Sequence, residues 1–127
     1  MKRCLIVEDS DVIRKVATRI LSSDTMRVME ARTATDALAQ CGAETPDFII
    51  LDSTLPDMSP VQFLTALKEC NLRAWPVVLL MITELDIVPI MRAKRVGAAG
   101  YLLKPFDRTQ LLTAFSRFSD DAASAAA

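Results

Sequence analysis

The sequence has 127 residues, a length that suits one ordinary domain, and 51% of them are hydrophobic, which is enough to build a sizeable core. Its 15 basic and 16 acidic residues leave a formal net charge of −1, so we expect neither nucleic acid nor a membrane surface among its partners. The lack of histidine in the sequence excludes a histidine base and a phosphohistidine within this chain.

The apolar runs of the sequence are too short to cross a membrane, and the run at residues 5–7 is too short for the core of a signal peptide. Cys4, Cys41 and Cys70 form no paired spacing of the metal-binding type, which favours reduced thiols. We therefore expect a cytoplasmic protein whose chemistry depends on carboxylates, hydroxyls and lysine.

Apolar, β-branched runs alternate along the chain with segments of helical period, a pattern that predicts five βα units. The expected strands lie at residues 3–7, 27–30, 48–51, 77–82 and 100–103. Three of them are almost wholly apolar, as in a parallel sheet that helices cover on both faces. The prediction is a single α/β domain with a doubly wound parallel sheet.

The helices are predicted from caps and apolar stripes. The first is expected to begin near Ser10 or Asp11 and to bury its apolar stripe while Arg14 faces solvent. The second is expected at residues 33–41, with Gly42 just after its end. The expected caps of the later helices are Ser59 with Pro60 for the third, Asp86 for the fourth and Asp107 or its neighbour for the fifth.

Charged residues follow three of the predicted strands. Glu8 and Asp9 follow the first, Asp52 ends the third, and Lys104 follows the fifth. The carboxyl ends of parallel strands share one rim, where ligands of open α/β sheets bind. Carboxylates crowded there repel one another unless a cation lies among them, and oxygen ligands favour Mg²⁺.

This arrangement can accept a phosphoryl group. Asp52 can act as the nucleophile, and Lys104 can neutralise charge on the phosphoryl oxygens. Each residue alone has an ordinary explanation: Asp9 as a helix cap or loop residue, Lys104 as a surface lysine and Asp57 as a turn residue beside Pro56. Their joint placement at one rim favours the chemical interpretation.

Three motifs together resemble the response-regulator receiver domains of two-component signalling, in their stand-alone, CheY-like form. They are Leu-Ile-Val-Glu-Asp-Ser at residues 5–10, Ile-Ile-Leu-Asp-Ser-Thr-Leu-Pro-Asp-Met at 49–58 and Gly-Ala-Ala-Gly-Tyr-Leu-Leu-Lys-Pro-Phe at 97–106. The resemblance implies a flavodoxin-like fold with strand order 2-1-3-4-5. We expect a receiver domain at residues 1–118 and a disordered Ala/Ser-rich tail at 119–127, with no output domain.

The resemblance assigns a role to each residue of the predicted rim. Asp52 would be the phosphoacceptor. Asp9 would bind Mg²⁺ directly, Glu8 directly or through water, and the main-chain carbonyl of Thr54 would complete the protein ligands. Lys104 would pair with the phosphoryl group.

The family's switch residues can also be placed, one of them imperfectly. The Lys104-Pro105 bond would be cis, and Tyr101 would take the position of the switching aromatic residue. The family's switch hydroxyl should lie on the last residue of the fourth strand. Counting back from Lys104 by the family's usual interval, however, reaches Ile82. Either Thr83, one residue further, supplies the hydroxyl, or the hydroxyl is missing. We take Thr83 as the candidate.

The function implied is that of a two-component response regulator that takes a phosphoryl group from a sensor histidine kinase or a histidine phosphotransfer protein. Such a protein catalyses its own phosphorylation and dephosphorylation without being a conventional enzyme. The donor would dock on the first helix. A downstream protein target would bind the surface formed by helix 4, strand 5 and helix 5.

Three alternatives remain open. A pseudo-receiver would bind partners without phosphorylation, and the imperfect position of Thr83 supports it. A flavodoxin-like flavin protein shares the topology, but the acidic residues Glu8, Asp9 and Asp11 would repel the cofactor's phosphate. A Mg²⁺-dependent phosphatase would need a second acid for proton transfer, which the sequence does not indicate.

Overall fold

The computed structural model describes the backbone of residues 1–126 and the side chains of residues 1–118. In this part of the chain five strands alternate with five helices. The strands are β1 (Lys2–Val7), β2 (Met26–Ala31), β3 (Phe48–Asp52), β4 (Val77–Ile82) and β5 (Gly100–Leu103). The helices are α1 (Asp11–Leu21), α2 (Ala34–Ala43), α3 (Pro60–Lys68), α4 (Ile87–Arg95) and α5 (Arg108–Ala126). The predicted tail, residues 119–127, lies outside the part of the chain whose side chains the structure describes.

All strand pairs are parallel, and the order in the sheet is β2-β1-β3-β4-β5. This order confirms the predicted doubly wound, flavodoxin-like fold. Among the helices that the structure describes, none combines the length and the apolar character needed to cross a membrane.

The apolar strands divide the core into two halves because successive side chains point to opposite faces of the sheet. In β1 and β3, Leu5, Val7, Ile49 and Leu51 belong to the half that also contains buried residues of α2, α3 and α4. The intervening Cys4, Ile6, Phe48 and Ile50 belong to the half that contains residues of α1 and α5. Burial on both faces explains why these strands are continuously hydrophobic.

The predicted caps of α3, α4 and α5 are confirmed. Ser59 and Gln62 form a reciprocal capping box at α3, and the side chain of Asp86 accepts from the amide of Val88 at α4. Asp107 accepts from the amide of Gln110 at the start of α5. The predicted end of α2 was wrong: the helix continues through Gly42 to Ala43, with Glu44 as its C-cap.

Gly97 lies in the turn after α4, and its backbone is in the left-handed region, with φ at 118°. A Cβ atom at this position would lie 2.5 Å from the ring of Trp75, whose indole N–H donates to the Gly97 carbonyl at 2.9 Å. Both the backbone conformation and the close ring therefore require glycine here.

The expectation that Arg14 faces solvent was wrong. Arg14 is buried in α1, whereas Val12 is 74% exposed. The guanidinium donates to the main-chain carbonyl of Glu8 at 2.9 Å and to the carboxylates of Glu30 at 2.9 Å and Asp11 at 2.6 Å. These bonds compensate for burial of the charge, and they attach α1 to the ends of β1 and β2.

Candidate phosphoryl and metal site

The register of the sheet brings the carboxylates together. Val7, the last residue of β1, pairs with Leu51 of β3. The next residues, Glu8 and Asp52, therefore reach the carboxyl edge of the sheet side by side. This edge is the rim that the sequence analysis predicted.

Three carboxylates cluster at the rim. One oxygen each from Glu8, Asp9 and Asp52 lies within 4.8 Å of the others. Glu8 and Asp52 are 1% and 2% exposed, whereas Asp9 lies open to solvent. The buried pair thus forms the floor of the cluster and Asp9 its outer side.

Lys104 follows β5 and closes the cluster from the other side. Its main-chain amide donates to the carbonyl of Ile82 at 2.7 Å, which fixes the backbone beside the end of β4. Its Nζ donates to Asp52 Oδ1 at 2.9 Å and lies 3.4 Å from each carboxylate oxygen of Glu8. The side chain is only 9% exposed, so Lys104 is not a surface lysine. The Lys104–Pro105 bond is cis, as expected.

The crowding changes the ionisation of the site. Burial, and then the negative charge of Asp52, raise the pKa of Glu8 to about 7 against the attraction of Lys104. For Lys104, burial alone would lower the pKa, but the hydrogen bond and charge of Asp52 together with Glu8 outweigh it, and the pKa is raised. Burial therefore makes the charged form of Glu8 unfavourable even though Lys104 attracts it.

Replacing Glu8 by glutamine is expected to stabilise the metal-free protein at alkaline pH. The folded state holds the Glu8 proton more tightly than the unfolded chain, so the stability contributed by Glu8 is present below about pH 4.5 and is lost as the pH rises through about 7. At about pH 8 the free energy of unfolding of Glu8→Gln should exceed that of the wild type by about 2 kcal/mol, with little difference near about pH 4. Urea titrations at both pH values in a chelator measure this, and equal stabilities at pH 8 would contradict it.

The hydroxyl of Thr54 is a contact that the sequence analysis missed. Its Oγ1 donates toward Asp52 Oδ2 at 3.2 Å and Oδ1 at 3.4 Å. The sequence had indicated only the main-chain carbonyl of Thr54, whose role as a metal ligand stays a prediction. The hydroxyl lies two residues after the end of a strand, where only the conformation of the loop decides its direction.

The structure shows which residues lie at the carboxyl end of β4. Met81 pairs with Asp52, Ile82 pairs with Leu103, and both Met81 and Ile82 are buried. Thr83 is the first residue after the strand and is exposed. Among the candidate positions at this strand end, only Thr83 carries a hydroxyl, and its role in a switch stays a prediction.

Thr83 and Lys104 also line an apolar recess of about 410 Å³ between α1 and the segment after β5. The other lining residues are Val12, Ile13, Val16, Pro105 and Phe106. Lys104 therefore joins the carboxylate cluster to an apolar surface that lies open on α1.

Tyr101 lies on β5, away from this recess, with 39% of its surface exposed. It lines a groove between α4 and α5 together with Lys94, Thr109 and Arg117. This groove coincides with the predicted target surface of helix 4, strand 5 and helix 5.

Asp57 has a structural role that the sequence analysis missed. Its carboxylate accepts from the amides of Ala34 and Thr35 at 3.1 and 2.9 Å and from the hydroxyl of Thr35 at 2.9 Å. The loop after β3 therefore caps the N-terminus of α2. Burial opposes ionisation of Asp57, but these hydrogen bonds outweigh it and lower its pKa.

Replacing Asp57 by alanine is expected to lower the free energy of unfolding by about 1 kcal/mol, the usual cost of losing a helix cap. Because the bound form is ionised, the stabilisation should be present at neutral pH and should be lost as the pH falls through the lowered pKa. Urea titrations at neutral and acid pH measure this. Asp36→Ala, at an exposed acidic residue in the first turn of α2, is the matched control and should cost less.

The donor set fits a magnesium ion. The three clustered carboxylates offer only oxygen atoms, which Mg²⁺ prefers to nitrogen or sulfur ligands. The cluster holds three carboxylates, and Lys104 is the ammonium that contacts two of them, so the acids can outnumber the positive charge beside them. Glu8, Asp9 and Asp52 are therefore the side chains that would hold the ion.

A parallel five-stranded sheet with buried carboxylates and a lysine at its carboxyl edge defines a class of proteins that bind ligands at the switch point of the sheet. The sequence-family model for the response regulator receiver domain matches residues 4–116 of this chain. The chain belongs to the family of response regulator receiver domains of two-component systems. The family match gives no support to the flavin protein or the phosphatase.

Similar proteins agree with this assignment. The KDP operon transcriptional regulatory protein KdpE of Escherichia coli is 39% identical over 108 residues, which are 84% of this chain and 46% of KdpE. The chain thus spans about half the length of that relative. Protein PilH of Pseudomonas aeruginosa is 31% identical over 88% of this chain and 93% of PilH. The chemotaxis protein CheY4 of Vibrio cholerae has a similar structure, with a TM-score of 0.86 and 30% identity over 93% of this chain and 98% of CheY4.

Proposed function

We propose that the chain accepts a phosphoryl group on Asp52 from a phosphohistidine of a partner protein, in a Mg²⁺-dependent reaction. The partner is a sensor histidine kinase or a histidine phosphotransfer protein, and the proposed location is the cytoplasm. The observation that supports this most strongly is the buried carboxylate of Asp52, held 2.9 Å from Lys104 Nζ within the cluster of Glu8 and Asp9.

In the proposed reaction an oxygen of Asp52 attacks phosphorus as the P–N bond of the phosphohistidine breaks. An acyl phosphate forms on Asp52, and the departing histidine keeps the electron pair of that bond. Lys104 is placed to neutralise charge on the phosphoryl oxygens, because its ammonium already contacts the acceptor. A Mg²⁺ ion held by Glu8, Asp9, Asp52 and the Thr54 carbonyl would supply further positive charge.

Release of the signal requires hydrolysis of the acyl phosphate by water. Asp9 is exposed and the cluster is open on that side, so water can reach the modified Asp52. Self-catalysed hydrolysis of this kind would reset the protein.

The proposed switch connects this site to the surface. The hydroxyl of Thr83 would donate a hydrogen bond to a phosphoryl oxygen. The loop between β4 and α4 would have to move inward for the two atoms to meet. Tyr101 would change its orientation as that loop moves, and a phosphorylation-dependent target would bind at the groove between α4 and α5 beside it.

The donor would dock on α1. The recess between α1 and the segment after β5 presents the exposed side chains of Val12 and Val16 next to Lys104. An apolar patch there can hold a partner helix while its phosphohistidine reaches Asp52.

The test is incubation of the purified protein with acetyl phosphate, with Mg²⁺ or with a chelator. We expect one added phosphoryl group by intact-mass spectrometry, only with Mg²⁺, and its loss on treatment with hydroxylamine. A folded protein that takes up no phosphoryl group under these conditions would contradict the proposal and favour a pseudo-receiver that acts by binding alone.

A further inference from the structure

Arg14 of α1 contacts the main chain of the segment that carries two of the clustered carboxylates, a contact that the proposed function does not use. Its Nη1 donates to the carbonyl oxygen of Glu8 at 2.9 Å, and this hydrogen bond is buried. On the other side, the amide of Glu8 donates to the carbonyl of Ala31 at 3.0 Å. The main chain of Glu8 is therefore held from two sides, by α1 and by the end of β2.

The carbonyl that Arg14 binds belongs to the peptide unit between Glu8 and Asp9. A peptide unit is planar and rigid, so a bond that fixes its oxygen also fixes the amide nitrogen of the next residue. The orientation of this unit sets the directions in which both residues project their side chains. Because the side chain of Asp9 is exposed, its position depends mainly on its main chain. Arg14 therefore helps to place two of the three clustered carboxylates.

The guanidinium of Arg14 is itself held firmly. Its Nε donates to Glu30 Oε1 at 2.9 Å and its Nη2 donates to Asp11 Oδ1 at 2.6 Å, and the side chain is only 7% exposed. The planar fork of arginine can bind these two carboxylates and the Glu8 carbonyl at the same time, which a lysine ammonium is less suited to do. Since two carboxylates balance its charge, Arg14 supplies the segment with a fixed hydrogen bond rather than with free positive charge.

We propose that Arg14 is a positioning residue for Mg²⁺, which holds the peptide unit between Glu8 and Asp9 so that both carboxylates can bind the ion. This inference rests on the metal site of the proposed function. Residues that orient metal ligands without touching the metal typically contribute about 10- to 100-fold to metal affinity. Loss of the hydrogen bond from Arg14 should therefore weaken Mg²⁺ binding and leave Asp52 and Lys104 in place.

The first measurement is an NMR titration of the isotope-labelled full chain with Mg²⁺ alone, in the absence of a phosphodonor. Arg14→Met keeps most of the stem and removes all three hydrogen bonds, so its Kd for Mg²⁺ should be about tenfold or more above that of the wild type. Arg14→Lys keeps the charge but not the fork, and its Kd should rise about threefold or more. Lys15→Met is the matched control. Lys15 binds the same Glu30 carboxylate, at 3.1 Å and on the exposed side, so its loss should leave the Kd unchanged.

The second measurement separates positioning of the ion from the chemical step. The Mg²⁺ concentration that gives half the maximal rate of phosphorylation by acetyl phosphate should rise in Arg14→Met in proportion to the Kd. The maximal rate at saturating Mg²⁺ should stay within about threefold of the wild type, because the acceptor and the lysine are unchanged. A merely structural role of Arg14 would lower the melting temperature and leave the half-saturating concentration of Mg²⁺ where it is in the wild type.

Circular dichroism melts establish which variants are folded at the temperature of the titration. A folded Arg14→Met that binds Mg²⁺ within about twofold of the wild type, or an equal loss of affinity in Lys15→Met, would overturn the proposal. If Arg14→Met does not fold, Arg14→Lys is judged by the same criterion. A wild type that binds no Mg²⁺ would contradict both this proposal and the proposed function. A wild type that binds Mg²⁺ but takes up no phosphoryl group would contradict the proposed function alone, since the titration still decides the role of Arg14.

Discussion

Replacing Asp52 by asparagine is expected to abolish phosphoryl labelling by acetyl phosphate, because the amide cannot act as the nucleophile that forms an acyl phosphate. The substitution preserves the shape of the side chain and removes one negative charge from a cluster in which Glu8 already has a raised pKa. The variant should therefore fold as well as the wild type. The measurement is the phosphorylated fraction by intact-mass spectrometry over time.

Asp57→Asn is the matched control for this experiment. Asp57 lies in the loop directly after β3, but its carboxylate is bound to the start of α2. Labelling of this variant should resemble that of the wild type, apart from a small loss of stability. Labelling that persists in Asp52→Asn, or that disappears in Asp57→Asn, would show that the acceptor is elsewhere.

Replacing Lys104 by methionine is expected to slow phosphorylation of Asp52 by about a hundredfold, since preorganised charge at a transition state is typically worth this much. Methionine keeps most of the length of the stem but cannot donate to Asp52 as Lys104 does at 2.9 Å. The same change removes the counter-charge of two buried carboxylates and should raise the pKa of Glu8 above its wild-type value of about 7. Initial rates with saturating Mg²⁺ and acetyl phosphate measure the kinetic effect.

Lys94→Met provides the comparison, because Lys94 is an exposed lysine of α4 far from the cluster. Its rate of phosphorylation should match that of the wild type. A rate for Lys104→Met within about twofold of the wild type would exclude Lys104 from charge neutralisation at the phosphoryl group.

Much of this architecture could be predicted because it follows from short-range rules. The continuously apolar strands indicate burial on both faces, and the caps Ser59, Asp86 and Asp107 are local signals. The rim could be predicted because Glu8, Asp52 and Lys104 each stand at a strand end, and parallel strands end at one edge.

Arg14, Asp57 and the Thr54 hydroxyl could not be predicted in the same way. An arginine on an amphipathic helix normally faces solvent. Arg14 is buried because the Glu8 carbonyl and the Glu30 carboxylate lie within reach of its guanidinium. Asp57 caps a helix whose first residue, Ala34, lies 23 residues before it in the chain. Such contacts are made between elements, so their signal appears only after the fold is assembled.

A crystal structure with Mg²⁺ and beryllium fluoride, which imitates a phosphoryl group on a carboxylate, tests most directly whether the rim is one metal-dependent phosphoryl site. We expect the fluoroberyllate on Asp52, with Lys104 Nζ in contact with a fluorine. The metal ion should be bound by Asp9, Asp52 and the Thr54 carbonyl, with Glu8 bound directly or through water. A beryllium adduct on another residue, or a metal ion bound away from Asp9 and Asp52, would contradict the central claim.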